Sequence, residues 1–258
     1  MRREYDTAVA SPATVAAERG RDVALLMRVL GDRGSVRLRD QAAALGLPIS
    51  TAYRMASQLQ RTGLISRVGR GYFTIGFELQ RLTSALDRNR LLADIARPHL
   101  QALARRLQLT VHLGIIEEDM VTYVIKEHGG GPDLFTRAGT QLEAYCSAIG
   151  KVLLAALTDA ELERYLRNGP LIPLTARTIS EPKRLREALM QIRAKGIAVD
   201  DEEIEENLRC IAMPVRDRHG AVVCAVSVAR RLDTGRTTND GAVSKWLLAC
   251  TRRIASDL

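Results

Sequence analysis

Apolar residues recur at helical spacing from Asp22 onward, and Val23, Leu26, Met27 and Leu30 predict a helix that ends in a turn from Gly31 to Gly34. Residues 1–20 show no such period; rich in Ala, Thr and small polar residues, they read as a flexible tail. Arg39 to Leu45 fits a second short helix stopped by Gly46. Pro48 has no N–H to donate and biases Leu47 away from helix, so the chain turns there. Ser50 is then placed to cap a third helix reaching about Arg61. Beyond Gly63, Leu64–Arg67 and Tyr72–Ile75 predict two short strands around Gly69-Arg70-Gly71. Three helices and a hairpin over residues 21–76 describe a winged helix-turn-helix. Ala42 is the small residue where helices cross, Gly46 makes the turn, and Leu45, Leu47, Ala52 and Met55 form the apolar lock. Gln41 departs from this pattern, and an ordinary three-helix core with a hairpin shares its local signals.

Helical spacing continues from Phe77 to about Leu107. Pro98 suits the first turn of a new helix, so a linker helix over 77–90 and a second helix opening the next domain are expected. Leu79, Leu82 and Leu86 form a stripe on the linker that packs either on a partner copy or on its own chain. Residues 91–258 mix strands and helices. Val111–Ile116 and Val121–Lys126 are strands joined by an acidic turn, with Leu134–Arg137 a weaker third; Ile197–Val199, Ile211–Val215 and Val222–Val228 follow. Gly150–Ala156, Asp159–Leu166, Pro182–Ala194 and Ala242–Ala255 read as helices. The fold class is therefore α+β with an antiparallel sheet, not a doubly wound one.

Charge sharpens the functional reading. The 258 residues carry a net charge of +8, and residues 1–82, with 13 Arg against 7 acidic residues, hold +6 of it. A concentrated positive field favours a polyanion, although an Arg-rich genome produces the same bias. With Ala52, Met55 and Leu59 turned inward, Ser50, Thr51, Tyr53, Arg54 and Ser57 face out for a major groove, and Arg67 and Arg70 on the wing meet phosphate. Aromatic residues make up only 4% of the chain, too little for single-strand stacking platforms. No apolar run has the length of a membrane span, and Arg2 and Arg3 precede no signal-peptide core, so neither membrane nor export is expected. Cys146, Cys210, Cys224 and Cys250 lie far apart, as reduced thiols in a cytoplasm do.

Catalytic chemistry finds little material. Asp200–Glu203 with Glu205 and Glu206 has the carboxylates for a divalent metal, but neighbours in sequence diverge and no His accompanies them, so a solvated acidic loop is expected. No His stands at a recognisable spacing from Cys210, which reads as a buried core cysteine. Gly129-Gly130-Gly131 runs into Pro132, so no helix follows to hold a phosphate. No enzyme, cofactor or metal is expected. A basic DNA-packaging protein needs no second, nearly neutral domain; a regulatory input explains one. The alternative is a ligand sensor whose helical module binds a protein partner instead of DNA.

Three stretches in order resemble the IclR family of bacterial transcriptional regulators over residues 21–255: Gly46-Leu47-Pro48-Ile49-Ser50-Thr51-Ala52-Tyr53-Arg54, Cys146-Ser147-Ala148-Ile149-Gly150-Lys151, and Gly196 through Asp200-Asp201-Glu202-Glu203 to Leu208-Arg209-Cys210-Ile211-Ala212 before Pro214-Val215. The resemblance implies a winged helix-turn-helix, a linker helix and a GAF-like effector domain. It also implies a homodimer or homotetramer on a palindromic double-stranded operator, controlled by a small organic acid. Ala148, Ile149, Gly150, Asp200, Leu208, Cys210 and Ser227 match the family's effector site. Ala229 stands where a second hydroxyl is usual, and Ile149 where family members that bind two- or three-carbon acids have a smaller residue.

Overall fold

A computed structural model describes residues 12–31, 34–84, 87–232 and 239–258, with backbone alone for 12–19 and 84. The chain divides into two compact units, Met1–Asp87 and Arg88–Leu258.

In the first unit α1 (Pro12–Leu30), β1 (Val36–Arg37), α2 (Leu38–Ala44), α3 (Ile49–Arg61), β2 (Ile65–Gly69), β3 (Tyr72–Ile75) and α4 (Phe77–Ser84) follow one another. The three strands pair antiparallel in the order β1-β3-β2. Leu25, Val29, Leu38, Ala42, Ala52, Met55, Ala56, Ile65 and Phe73 form one core, with Leu45 and Leu47 partly buried against it. Gly46 takes φ +62°, the left-handed conformation that costs glycine least. The Leu47 N–H then donates to Ala42 O at 2.9 Å and closes the turn between α2 and α3.

Several expectations are corrected here. Residues 12–20 are helical, not irregular: Pro12 suits a first helical position, and the Ala-rich stretch favours helix without needing an apolar period. Residues 1–11 of the expected tail lie outside the described residues. The buried face of α1 carries Leu25 and Val29, while Val23, Met27 and Leu30 are exposed. Ser50 is not the cap of α3. The Pro48 carbonyl accepts from Ala52 N–H at 3.1 Å, so the helix starts at Ile49 and Ser50 stands inside its first turn.

The second unit begins with α5 (Arg88–Leu107), so residues 77–90 are not one helix. Asp87, a residue type favoured just ahead of a helix, precedes α5. Pro98 sits inside α5 instead of opening it. Leu92, Ala96, Leu100, Leu103 and Ala104 are buried on this helix, and their packing offsets the hydrogen bond that proline removes. The strands β4 (Thr110–Glu117), β5 (Met120–His128) and β6 (Gln141–Glu143) come next, then α6 (Ala148–Ala156), α7 (Asp159–Arg167), α8 (Pro182–Lys195), β7 (Ala198–Asp201), β8 (Leu208–Arg216), β9 (Val222–Arg231) and α9 (Asp240–Asp257). The strands make one antiparallel sheet, β6-β5-β4-β9-β8-β7. The helices α5 and α9 bury Leu100, Leu103, Leu247 and Ile254 with Val111, Leu113 and Val226 of the sheet. The helices α6, α7 and α8 form a second core with Val121, Ala212 and Ala225. Each large apolar side chain buried this way contributes ~1.5–3 kcal/mol.

Leu134–Arg137 is not a strand. Its carbonyls are taken by a lysine instead of a ladder: Lys126 Nζ donates to Leu134 O at 2.8 Å and to Thr136 O at 2.7 Å. The strand that completes the edge is β6, paired with β5.

Candidate functional site

The first unit presents a polar helix face. On α3, Ala52, Met55, Ala56 and Leu59 are buried. Ser50, Tyr53, Arg54 and Ser57 are exposed, Thr51 is half-buried, and Arg67 and Arg70 stand exposed at the β2–β3 hairpin. All seven sequence-selected positions thus belong to α3 or its wing. Arg67 Nε donates to Gly69 O at 3.1 Å, which draws that side chain along the wing. The Tyr53 side chain reaches the hairpin: a Cβ at Gly71 would lie 3.3 Å from its hydroxyl. Residues 21–76 carry nine Arg against three acidic residues, and none of those acids is on α3. Such a face carries no acid to repel phosphate and presents exposed hydrogen-bonding side chains along one helix.

The second unit encloses a cavity between the sheet, the start of α6 and the 133–136 loop. Register explains its floor. Asp200 pairs with Cys210, Cys210 with Ala229, and Ala229 with Thr110 in one cross-strand row. Two residues along, Ala198, Ala212, Ser227 and His112 form the next row on the same face. Ala148, Ile149, Asp200, Leu208, Cys210 and Ser227 all line this cavity. Gly150 does not. A Cβ there would fall 2.1 Å from Ala144 O, and its N–H donates to Ser147 Oγ at 3.1 Å. Its role is close packing, and the side chain of Ser147, not a ligand, satisfies its amide. The amides of Ala148 and Ile149 remain as the donors at the start of α6.

His112, Tyr123, Phe135, Thr136 and Ile204 also line the cavity, residues that the sequence reading missed. His112 Nε2 lies 2.8 Å from Thr136 Oγ1, and its ring stacks on Tyr123 with centroids 4.6 Å apart. Burial, with Lys126 nearby, pushes the His112 pKa down to about 3, so the ring is neutral. Phe135, 55% exposed, closes the outer side. The free interior is about 10 Å³, room for roughly one water.

Asp200 and Glu203 correct the expected solvated acidic loop. They are 1% and 6% exposed. Strand alternation is the reason: Ala198 and Asp200 point inward from β7, whereas Val199 and Asp201 are half-buried. Asp200 Oδ1 accepts from Glu203 N–H at 2.8 Å, and its Oδ2 is buried with no partner. Burial pushes the Asp200 pKa up to about 7, against the pull of the Glu203 N–H and the Lys151 charge. Lys151 Nζ donates to Val199 O at 2.7 Å and to Glu203 Oε1. Burial drives the Cys210 thiol well above its ordinary value, so it is a weak donor and not a thiolate. The four cysteines are free and buried. Among the described residues no group of His, Cys, Asp and Glu could hold a metal ion, and no helix is long and apolar enough to cross a membrane.

Known proteins share both units. Residues 83–258 match the family model described as "Bacterial transcriptional regulator IclR C-terminal", and residues 21–69 match "IclR helix-turn-helix domain". The HTH-type transcriptional regulator KdgR of Escherichia coli K12 is 30% identical over 206 residues, 79% of this chain and 78% of that protein. The Pca regulon regulatory protein of Pseudomonas putida is 31% identical over 219 residues, 82% and 74% of the two chains. Among solved structures, an IclR homolog complexed with 4-hydroxybenzoate from Microbacterium hydrocarbonoxydans superposes with a TM-score of 0.62 at 25% identity, over 92% of this chain and 98% of that one.

Proposed function

The chain belongs to the IclR family of bacterial transcriptional regulators, which are not enzymes, and from that premise we propose which of its residues hold the operator and which hold the effector. As a regulator of this family it binds DNA through its helix-turn-helix and carries a ligand-binding second domain. In the proposal α3 enters the major groove with Ser50, Thr51, Tyr53, Arg54 and Ser57, and Arg54 reads a guanine edge. Arg67 and Arg70 hold phosphates and set affinity more than specificity.

The effector is a small organic acid seated in the cavity. The observation that carries this reading is the pairing of an unpartnered buried oxygen, Asp200 Oδ2, with a pocket lined by six of the seven expected positions. The Ala148 and Ile149 amides at the start of α6 receive a carboxylate, helped by the helix dipole. Ser227 donates a hydroxyl from the floor, and Asp200 meets the ligand's second polar group. Ile149 fills space, so the ligand differs in shape from a two-carbon acid. The 4-hydroxybenzoate of the Microbacterium protein is a carboxylic acid with a hydroxyl at its far end, which matches these groups in chemistry. It exceeds the one-water interior, so a ligand of that size requires the pocket to widen.

One small helix-turn-helix covers too little DNA for strong selectivity, so the proposed active species is a homodimer, or a homotetramer built from it, on a palindromic operator in the cytoplasm. Leu79, half-buried, and Leu82, 50% exposed, offer the seam on α4; Leu86 lies outside the described residues. The test is selection of duplexes from a random pool, followed by anisotropy titration of the selected site at increasing salt. A two-fold related site whose affinity falls log-linearly with salt is expected. A site with a single half, bound by one copy, would count against the dimer; the absence of any salt-dependent binding would count against the DNA face.

A further inference from the structure

Lys151, Glu203 and Asp200 form a buried chain whose geometry leaves one acid without a cation. Lys151, 2% exposed, is committed to Glu203 Oε1 and Val199 O. Glu203 turns its own N–H to Asp200 Oδ1 at 2.8 Å, and its carbonyl is held by Thr178 Oγ1 at 2.6 Å. Asp200 therefore receives the Glu203 backbone N–H and no hydrogen bond from a cation, its Oδ2 is buried without a partner, and the residue lines the cavity. Three ionised groups here would leave a net negative charge among buried side chains, which proteins relieve by protonating one acid. Glu203 has the lysine on Oε1, although its Oε2, like Asp200 Oδ2, is buried without a partner. Asp200 has no lysine.

The other groups around Asp200 do not supply a cation. Cys210 on β8 is a protonated thiol, and Tyr123 on β5 has its hydroxyl pKa raised by burial. His112 on β4 is neutral. Cys146, just ahead of α6, is likewise pushed up to about 12, and Glu205 beyond β7 is a further acid.

We propose that the Glu203 side chain is a positioning residue that engages Lys151 and so leaves buried Asp200 neutral, which lets it meet an acidic effector as a hydrogen-bond donor and not as a repelling carboxylate. This rests on the reading of the cavity as the effector site, and it removes the conflict of an anion bound beside an aspartate. It also makes the site sensitive to pH. The Asp200 proton exchanges with solvent as pH rises through neutrality, and the cavity then turns from donor to anion.

The test uses the full-length protein without ligand, labelled with carbon-13 at the aspartate carboxyls, with the Asp200 signal identified by its loss in Asp200→Asn. In the wild type this carboxyl should titrate near neutrality, far above the surface aspartates. Glu203→Gln removes the competing anion and leaves Lys151 to Asp200, so the midpoint should fall by ~1–3 pH units. A purely structural role for Glu203 would not lower it. The proposal is overturned if wild-type Asp200 titrates in the ordinary carboxylate range, or if Glu203→Gln folds and leaves the midpoint in place. Should Glu203→Gln fail to fold, the wild-type titration alone decides. Because no ligand enters this experiment, its failure leaves the assignment of the effector cavity standing.

Discussion

His112 and Thr136 meet inside the effector unit, Nε2 to Oγ1 at 2.8 Å, although one belongs to a central strand and the other to a loop 24 residues later. The bond holds the 133–136 loop over the cavity. It also engages Nε2 of the neutral ring, leaving Nδ1 as its other nitrogen.

Thr136→Val removes the partner at nearly constant volume and strands a buried imidazole nitrogen, at a cost of ~1–3 kcal/mol in urea unfolding. Thr136→Ser should recover most of it. The pH dependence has a definite sign. The folded His112 pKa, about 3, lies below its ordinary 6.5, so the folded protein excludes the proton. Its contribution is fully present above the ordinary value and is lost as pH falls toward about 3, by up to ~1.4 kcal/mol per pH unit. Replacing His112 by Gln should flatten that acid limb; an unchanged limb would contradict the assignment.

Asp200 gives the opposite sign. Its folded pKa, about 7, lies above its ordinary 3.8. The stability it contributes is fully present below 3.8 and lost as pH rises through about 7. Asp200→Asn keeps the shape of the neutral acid and cannot ionise. Its stability relative to wild type should therefore grow by ~1–3 kcal/mol between about pH 4 and pH 7 and then level off. Parallel curves would show that Asp200 is ionised throughout.

Gly150→Ala tests the corrected role of that glycine. A methyl group 2.1 Å from Ala144 O cannot be accommodated without moving backbone, so a loss of ~1–3 kcal/mol or more is expected in the second unit's thermal unfolding. A variant of wild-type stability would mean that the segment between Ala144 and α6 is not packed as described.

Substitutions at Arg54 and Arg70 test the proposed division between reading and holding. Arg54→Ala should cost ~1–3 kcal/mol on the selected duplex and flatten preference among point-mutated duplexes. Arg70→Ala should weaken every duplex about equally and lower the salt slope by about one. Measured by anisotropy, an Arg54→Ala protein with unchanged preference would move the reading role elsewhere on α3.

Local chemistry made the DNA-binding unit readable from the chain. Gly46, Pro48 and the small Ala42 act on their immediate neighbours, and their effect survives without tertiary information. Ser50 misled because its capping preference is weaker than the helix start already set by the Pro48 backbone, φ −56° and ψ 139°. The effector positions came through family resemblance, not pattern. Nothing local marks His112, Tyr123 or Thr136 as partners, since sheet register and a lysine clasp bring them together. Asp200 and Glu203 hid in a run of acids that looks solvated. The period-two alternation Ala198–Asp200 was the one signal that could have separated the inward acid from its neighbours.

Coupling between the two units is the central claim, and operator titration with and without acid measures it most directly. Small hydroxy and oxo acids, 4-hydroxybenzoate among them, are screened for any that shifts wild-type affinity for the selected duplex, and the strongest is carried to Ser227→Ala and Asp200→Ala. The account predicts a wild-type shift of ~5-fold or more. It predicts that both variants bind the duplex normally without acid and lose most of the shift. If neither substitution alters the shift, or if no acid moves the wild type at all, the cavity is not the regulatory site.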